Sequence, residues 1–440
     1  MTDVILTNTI DEMLQAAVSA GSGMYTGRKI VTFKPGAYDA GVRSLSTATS
    51  RPVVSTADFA GHAINFAALG DAGSVVFPEL NIAVLTAPAA AEPRFSQMVE
   101  AGAADSPILN IEPETFVFAS DVDYQSYVRG FAAAAERIFQ DLGWKGSATG
   151  LRAPASHEEQ AAVMATTWGL TATRAVSSHF SGTGIKVAIL DTGFDFQHPD
   201  FQGRAFSQQS FISGETPQDG NGHGTHTIGT ACGPKAPAGV PRYGTAFGAQ
   251  IFVGKVLSNT GGGTTATVLA GMNWAVANRC EVISMSLGAD GIPPQAAYTQ
   301  AGRAALNAGC LMIAAAGNRS RRPGTIAPTG SPGNSPTIMS VAALDANLQV
   351  AFFSSGGKVE SAGPGVDVFS SWPLPQRYKT ESGTSMATPH VAGAAALWGA
   401  VELGATRSIA MGRARAPCRT PSISSHRCGG RLSAMPLTSD

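Results

Sequence analysis

No run of about 18 consecutive apolar residues occurs in the sequence, so no transmembrane helix is expected. Residues 1–23 also lack the basic start and apolar segment of a secretory signal, and they carry Asp3, Asp11 and Glu12. We therefore expect a cytoplasmic protein without a membrane partner. Export by a non-standard route is the alternative.

Cysteine is scarce, and neither sign of charge dominates. Five cysteines in 440 residues are too few for a disulfide framework. Cys232, Cys280 and Cys310 have apolar surroundings and are predicted to be buried thiols, whereas Cys418 and Cys428 could pair in an oxidising compartment. With 30 Lys and Arg against 31 Asp and Glu, the net charge of −1 gives no general reason to expect a nucleic-acid partner.

Apolar residues make up 44% of the chain, enough for one large domain and a smaller one. Between residues 28 and 119, segments typical of strands and helices follow the order β-α-β-β-α-β, the pattern of a small ferredoxin-like α+β domain. The predicted strands are 29–33, 73–77, 81–85 and 108–111, and the predicted helices are 40–47 and 95–102. By itself this unit indicates binding or folding, not chemistry.

Two connecting segments flank this unit. Residues 1–27 form a leader. Residues 120–165 combine a helix and a linker, because apolar residues recur at helical spacing between 124 and 142, whereas 145–159 are rich in Gly, Ser, Ala and Pro.

The large domain is predicted at residues 166–400. Strands buried on both faces are indicated by apolar runs at 185–190, 282–288 and 311–318 and by a run that ends at Val256. These runs alternate with predicted helices at 265–278 and 295–308. This alternation predicts an α/β fold with an open, mostly parallel sheet and helices on both faces. Active sites of such sheets form at the carboxyl ends of the strands.

Three residue types needed for nucleophilic catalysis stand at such ends. Asp191 ends a strand, His223 lies in a turn before an apolar helix, and Ser385 heads a helix rich in small residues. A serine oxygen is a weak nucleophile until a neutral imidazole takes its proton, and a carboxylate orients that imidazole. The order Asp, His, Ser differs from the order in α/β-hydrolases.

The segments around these residues form three motifs: Asp191-Thr192-Gly193-Phe194-Asp195 with His198-Pro199-Asp200, His223-Gly224-Thr225-His226, and Gly383-Thr384-Ser385-Met386-Ala387-Thr388-Pro389-His390. These motifs resemble the three signatures of the subtilisin-like serine protease family, peptidase S8. The resemblance covers roughly residues 166 to 400.

The resemblance implies a role for each candidate site residue. Ser385 would be the nucleophile, His223 the general base and then acid, and Asp191 the residue that orients it. The Asn318 amide and the Ser385 backbone N–H would hold the oxyanion. The residues implied in substrate binding are Gly261, Gly262, Gly263, Ser286, Leu287, Gly288, Ala315 and Gly317. The chemistry requires no cofactor and no metal, although the family is compatible with structural calcium, for which the sequence assigns no ligands.

The unit at 28–119 resembles the family's propeptide, a folding chaperone and product-like inhibitor, with Asn110-Ile111-Glu112-Pro113 as the matching segment. The chain would then be a zymogen whose partners are polypeptide substrates and its own propeptide, and self-cleavage is expected between Ser120 and Thr167. Large apolar side chains are expected at the substrate position that directly precedes the scissile bond. If Arg319 faces the pocket, Glu should be accepted better than Lys there; otherwise this arginine is a solvated loop residue.

The sequence departs from the family at residues 401–440. Six arginines occur from Arg407 onward, and Asp440 is the only acid after Glu402. Without apolar periodicity, this basic tail is predicted to be disordered. The sequence therefore predicts a self-processing serine endopeptidase. The alternatives are a non-proteolytic acyl hydrolase, or a binding protein made inactive by the altered C-terminus.

Overall fold

A computed structural model describes residues 9–62, 64, 72–85, 106–119 and 166–410 of the chain, with side chains through 399. The helices predicted at 95–102 and 124–142, the linker at 145–159 and the cysteines at 418 and 428 lie outside the described residues.

The N-terminal unit is built on an antiparallel sheet with the strand order β5-β1-β4-β3, which is the order of a β-α-β-β-α-β domain, and a short β2 adds parallel to β3. The predicted strands and the first predicted helix are present, whereas α1 and β2 were not predicted. The elements are α1 (Ile10–Ser19), β1 (Tyr25–Phe33), α2 (Tyr38–Thr49), β2 (Val53–Ser55), β3 (Ser74–Phe77), β4 (Ile82–Leu85) and β5 (Ile108–Ala119).

Helix α1 lies inside the segment that was predicted to be only a leader. Its start is a capping box: the Thr9 hydroxyl accepts the N–H of Glu12 at 3.2 Å, and the Glu12 carboxylate accepts the N–H of Thr9 at 2.9 Å. Ile10, Met13, Leu14 and Ala17 form one buried stripe at helical spacing. With ten residues, the helix depends on this packing for its stability.

The second unit is a seven-stranded sheet with the order β14-β13-β12-β10-β6-β8-β7, in which every neighbouring pair is parallel. The predicted parallel α/β sheet is confirmed. Strands β7, β13 and β14 were not predicted. Strands β7 and β14 lack an apolar run, whereas β13 is apolar apart from Ser340 and was overlooked. The elements are α3 (Trp168–Ala172), β6 (Lys186–Asp191), β7 (Phe206–Ser210), α4 (His223–Cys232), β8 (Gln250–Lys255), β9 (Gly262–Thr264), α5 (Thr265–Ala277), β10 (Val282–Met285), β11 (Leu287–Gly288), α6 (Ala296–Asn307), β12 (Leu311–Ala315), β13 (Met339–Leu344), β14 (Ser361–Pro364), β15 (Val368–Ser371), β16 (Tyr378–Glu381) and α7 (Thr384–Ala410).

The central strand β6 is buried on both faces, as its apolar sequence predicted. Ala188 and Leu190 share one core with α5 and α6, and Val187 and Ile189 share another with α4 and α7. The first core continues into the N-terminal unit, where Ile30 and neighbouring side chains of β3 and β4 join it. The predicted buried thiols Cys232, Cys280 and Cys310 lie in these cores and are free.

The prediction of a disordered tail from residue 401 is wrong at its start, because α7 continues without interruption to Ala410. Residues 401–410 contain Glu402, Leu403 and two alanines, which favour helix, and a helix already formed extends more easily than a new one starts. Pro389 is accommodated inside this helix. Among the residues described, no helix has the length and apolarity needed to cross a bilayer.

Candidate active site

The carboxyl end of β6 presents Asp191 to His223, the first residue of α4. Nδ1 of His223 lies 2.7 Å from Oδ1 of Asp191, and both side chains are buried. An ionised carboxylate only accepts hydrogen bonds, so Nδ1 holds the proton and Nε2 is the basic nitrogen. Asp191 is held in turn by the Thr192 N–H at 2.7 Å and the Thr227 hydroxyl at 3.3 Å. The imidazole therefore has a defined tautomer and orientation.

Asp219, which the sequence analysis did not single out, organises the turn before α4. Its Oδ1 accepts from the Gly222 N–H at 2.9 Å and the Thr192 hydroxyl at 3.0 Å. Its Oδ2 accepts from the N–H and hydroxyl of Thr225 at 2.9 and 2.7 Å. Gly222 has φ 111°, and a Cβ there would lie 2.3 Å from Trp372, so this turn requires glycine. An Asp shortly before an apolar helix is the signal that could have identified it.

Lys255, at the end of β8, is a second residue to which the sequence analysis assigned no individual role. Its ammonium group is fully buried behind β6 and donates to the Thr192 carbonyl and, at 2.9 Å, to Oδ1 of Asn259. It also pairs with Glu215 at 3.1 Å. A buried lysine with these partners fixes the backbone that follows Asp191.

Ser385 is the second residue of α7 and is buried beside the junction of β10 and β11. Its Oγ donates to the Ser286 carbonyl at 3.4 Å, and the Ser286 hydroxyl donates to the Ser385 carbonyl at 2.7 Å. Helices α4 and α7 pack against each other on the same face of the sheet. At this end of a helix, backbone N–H groups lack intrahelical acceptors and the dipole favours negative charge.

Asn318 follows β12 and contacts the turn before Ser385. Its Oδ1 accepts from the backbone N–H and the hydroxyl of Thr384, each at 2.9 Å, and the Thr384 hydroxyl oxygen accepts the Gly317 N–H at 3.1 Å. These bonds fix the orientation of the amide. Nδ2 lies 3.2 Å from the position that a Cβ on Gly383 would occupy. The amide N–H donors therefore lie beside the serine turn, where an oxyanion donor is needed.

The end of β5 lies between the two segments predicted to bind an extended peptide. The N–H of Ala119 donates to the Gly261 carbonyl at 3.0 Å. Ser286, which bonds Ser385, directly precedes Leu287, so β5 runs toward the serine. An extended peptide adds to exposed sheet edges in this way. The antiparallel pairs are Phe116 with Thr264, Val117 with Gly263, Phe118 with Gly262 and Gly288, and Ala119 with Leu287.

The remaining two predicted substrate-binding residues occupy different surroundings. Ala315 pairs with Val341 of β13, and its side chain is buried, so it is part of the sheet. Gly317 contributes its backbone to the contact with Thr384.

Arg319, which directly follows Asn318, lies beside the carboxylate of Asp290. Its Nη1 lies 3.8 Å from Oδ2 of Asp290, and both side chains are partly exposed. Oδ1 of Asp290 lies 3.2 Å from the positions that a Cβ would take on Gly317 and on Gly330. The positive charge considered in the sequence analysis is therefore offset by a carboxylate beside Gly317.

Three further histidines are structural. His198 Nε2 lies 2.8 Å from the Arg377 carbonyl, and His390 Nδ1 lies 2.9 Å from the Met386 carbonyl. Nε2 of His226 lies 3.0 Å from the Val368 carbonyl. Burial lowers the pKa of His226 to about 3 and that of His390 to about 4, so both remain neutral.

The carboxylates of Asp195, which is buried, and Asp200, which is partly buried, do not fit a calcium ion. Asp200 accepts from the hydroxyls of Tyr243 and Tyr378, and Asp195 accepts from the Leu374 N–H at 2.9 Å. Calcium requires oxygen ligands, whereas donor groups occupy these oxygens. Across the ranges that the structure describes, no group of three or more His, Cys, Asp or Glu side chains is arranged to hold a metal ion.

Comparison with known proteins finds similarity over the second unit. Residues 182–406 match the model of the subtilase family, peptidase S8. The chain is 41% identical over 220 residues to subtilisin DY of Bacillus licheniformis, covering 50% of this chain and 77% of that protein. It is 40% identical over 235 residues to subtilisin Savinase of Lederbergia lenta, covering 52% and 82%. Against subtilisin E of Bacillus subtilis, the identity is 38% over 236 residues, covering 52% and 60%.

Proposed function

Because this chain belongs to the subtilase family, we propose that it is a serine endopeptidase that cleaves peptide bonds through an acyl-enzyme on Ser385. The observation that carries the proposal is the 2.7 Å hydrogen bond between His223 and Asp191 at the carboxyl end of a central strand. The extended segment β5, paired beside Ser286, supports a peptide as the substrate.

The proposed reaction has two halves, acylation and deacylation of Ser385, and His223 transfers one proton in each half. Nε2 of His223 takes the proton of Ser385 Oγ as that oxygen attacks the carbonyl carbon of the substrate, and the imidazolium then gives the proton to the leaving amine. Water attacks the acyl-enzyme, His223 takes a proton from it, and Ser385 Oγ leaves with that proton. Asp191 stays ionised throughout and stabilises the imidazolium.

The negative oxygen of each tetrahedral intermediate would be held by Nδ2–H of Asn318 and the backbone N–H of Ser385. Both donors would be in place before reaction, because Thr384 fixes the Asn318 amide and helix α7 fixes the backbone. Such preorganised donors stabilise charge without reorganisation in the transition state.

Labelling of Ser385 by a fluorophosphonate tests the proposed nucleophile. We expect labelling and turnover of an unfolded protein substrate, both abolished by Ser385→Ala. Turnover of simple esters but not of the protein substrate would favour a non-proteolytic acyl hydrolase. Absence of labelling in a folded chain from which an added protease has removed the N-terminal unit would favour the binding protein.

We further propose that the chain processes itself and that residues 28–119 are its intramolecular inhibitor. Glu112 and Glu114 of β5 support this, because they accept backbone N–H groups at the starts of α6 and α5, respectively. Arg28 neutralises Glu114 in a buried ion pair. These contacts fix the register of β5, which runs toward Ser286.

The expected cleavage lies between Ser120 and Thr167, and the register favours a site shortly after Ala119. Intact mass and N-terminal analysis of the wild-type chain should show the cut, and the Ser385→Ala chain should remain at full length. If both chains keep their full mass while Ser385 is labelled, the self-processing proposal is wrong although the protease proposal stands.

A further inference from the structure

Strand β5 lies between β9 and β11, in the groove that we call the cleft. The two faces of β5 have different partners there. Side chains alternate along a strand, so Val117 and Ala119 point to one face and Phe116 and Phe118 to the other. Val117 and Ala119 belong to the core of the second unit, together with Leu287. Phe116 and Phe118 face away from that core, yet they are only 0% and 3% exposed.

Helix α1 buries these two aromatic rings. Met13, Leu14 and Ala17 of α1 form one cluster with Phe116 and Phe118. The same helix reaches the cleft wall, where the Thr260 hydroxyl donates to Oδ1 of Asp11 at 3.2 Å. Thr260 precedes Gly261, the residue whose carbonyl accepts the Ala119 N–H. Strand β5 is therefore enclosed between the cleft and α1.

We propose that α1 is a latch that holds β5 in the cleft and thereby sets the rate at which the active site is freed. The inference rests on the proposed inhibitory role of this unit. A free peptide substrate of the same sequence as β5 would make the cleft contacts, but it would leave its outer aromatic side chains in water. Burial of those side chains under α1 stabilises the inhibitor strand by an amount unavailable to a substrate.

Hydrogen–deuterium exchange on the full Ser385→Ala chain tests the latch without relying on activity. In Leu14→Asp we expect the Ala119 amide to exchange about tenfold faster or more, because a carboxylate cannot be buried against the two phenylalanines. The matched control is Val18→Asp, on the exposed side of α1, which should leave this rate unchanged. Amides of β6 report whether the second unit remains folded.

An Ala119 amide that stays as protected as in the parent chain, while α1 itself exchanges freely, would overturn the latch. If protection in β6 is lost in Leu14→Asp, the milder Leu14→Ala replaces it and is judged by the same two outcomes. In the chain with Ser385 intact, Leu14→Asp should also shorten the delay before fluorophosphonate labelling, and Val18→Asp should not. Failure of every chain to label would contradict the proposed protease while the exchange result still decides the latch.

Discussion

At the scale of single residues, Thr384 is the side chain that orients the Asn318 amide. We predict that Thr384→Val lowers kcat about tenfold, roughly the effect of one neutral hydrogen bond, with little change in KM. Asn318→Ala should lower kcat about 10²- to 10³-fold, the loss known for an oxyanion donor of a subtilisin. Steady-state kinetics on one peptide substrate, with Thr388→Val as a control on the same helix, measures both. An unchanged kcat in Thr384→Val would contradict the orienting role.

The pair of Arg319 and Asp290 revises the specificity expected from sequence. Since the two charges offset each other, Phe or Leu should be preferred before the cut, with Lys and Glu similar. Asp290→Asn should then favour Glu over Lys, and Arg319→Ala should favour Lys over Glu. Each preference in kcat/KM should be several-fold at most, because partly exposed charges contribute about 0.2–1 kcal/mol.

A peptide series varied only at that position, compared by kcat/KM, tests this prediction. Arg321→Ala provides the control, because Arg321 bonds the Asn318 and Ser320 carbonyls instead of Asp290. Equal Lys-to-Glu ratios in all four enzymes would show that the pair does not face the substrate.

The candidate nucleophile, base and orienting acid could be identified from sequence because each lies in a motif of contiguous residues. Lys255 and Asp290 could not, because their roles depend on partners distant in sequence, whereas Asp219 bonds mainly to residues of its own turn and had a local signal that went unused. Asp290, for example, meets Arg319 only after the loops beyond β11 and β12 come together.

At the scale of elements, β5 docks on two helix starts, and one of these contacts is sensitive to pH. Burial raises the pKa of Glu112, although the N–H groups of Ala297 and Ala296 and the Asn110 side chain partly oppose the rise. The pKa is therefore higher in the docked state than in the free one, and docking takes up protons. Glu112 therefore stabilises docking fully below its ordinary pKa, and this stabilisation is lost as the pH rises through its raised pKa in the docked state.

We predict that the cleaved N-terminal unit separates faster at neutral pH than near pH 4.5, the ordinary value for a glutamate. Glu112→Gln should reduce this difference, whereas Asp39→Asn, an exposed acid in the first turn of α2, should not. Release can be followed by size-exclusion chromatography after processing. The same pH dependence in wild type and Glu112→Gln would exclude Glu112 as its source.

Long apolar strands and helices were predictable because burial on both faces leaves a continuous apolar pattern. Short or polar elements were not: β14 is Ser361–Pro364, and its place beside β13 depends on the sheet already present. Helix α1 had a capping box and an apolar stripe in its sequence, but its ten residues become stable only against β5.

At the scale of the whole molecule, two buried histidines connect distant parts of the second unit. His226 ties α4 to the hairpin of β15 and β16 through the Val368 and Lys379 carbonyls. His390 lies in α7 against α3, where a Cβ on Gly169 would lie 2.5 Å from its Nε2. Both imidazoles are buried, so water cannot solvate the imidazolium that protonation would create. Acid should therefore destabilise the folded state.

The pKa values of about 3 for His226 and about 4 for His390 lie below the ordinary value of 6.5. Below about pH 6.5 the unfolded chain binds protons that the folded chain excludes, so folding stability falls as the pH decreases. Each histidine should remove roughly 2 kcal/mol between pH 6.5 and 4.5, which is a drop of several degrees in Tm. Thermal unfolding of the Ser385→Ala chain measures this loss without autolysis. Because His390→Gln removes one of the two titrations, its Tm should fall less steeply with acid, even if it starts lower. Parallel Tm curves for the two chains would mean that carboxylates elsewhere, and not His390, set the acid limit of the fold.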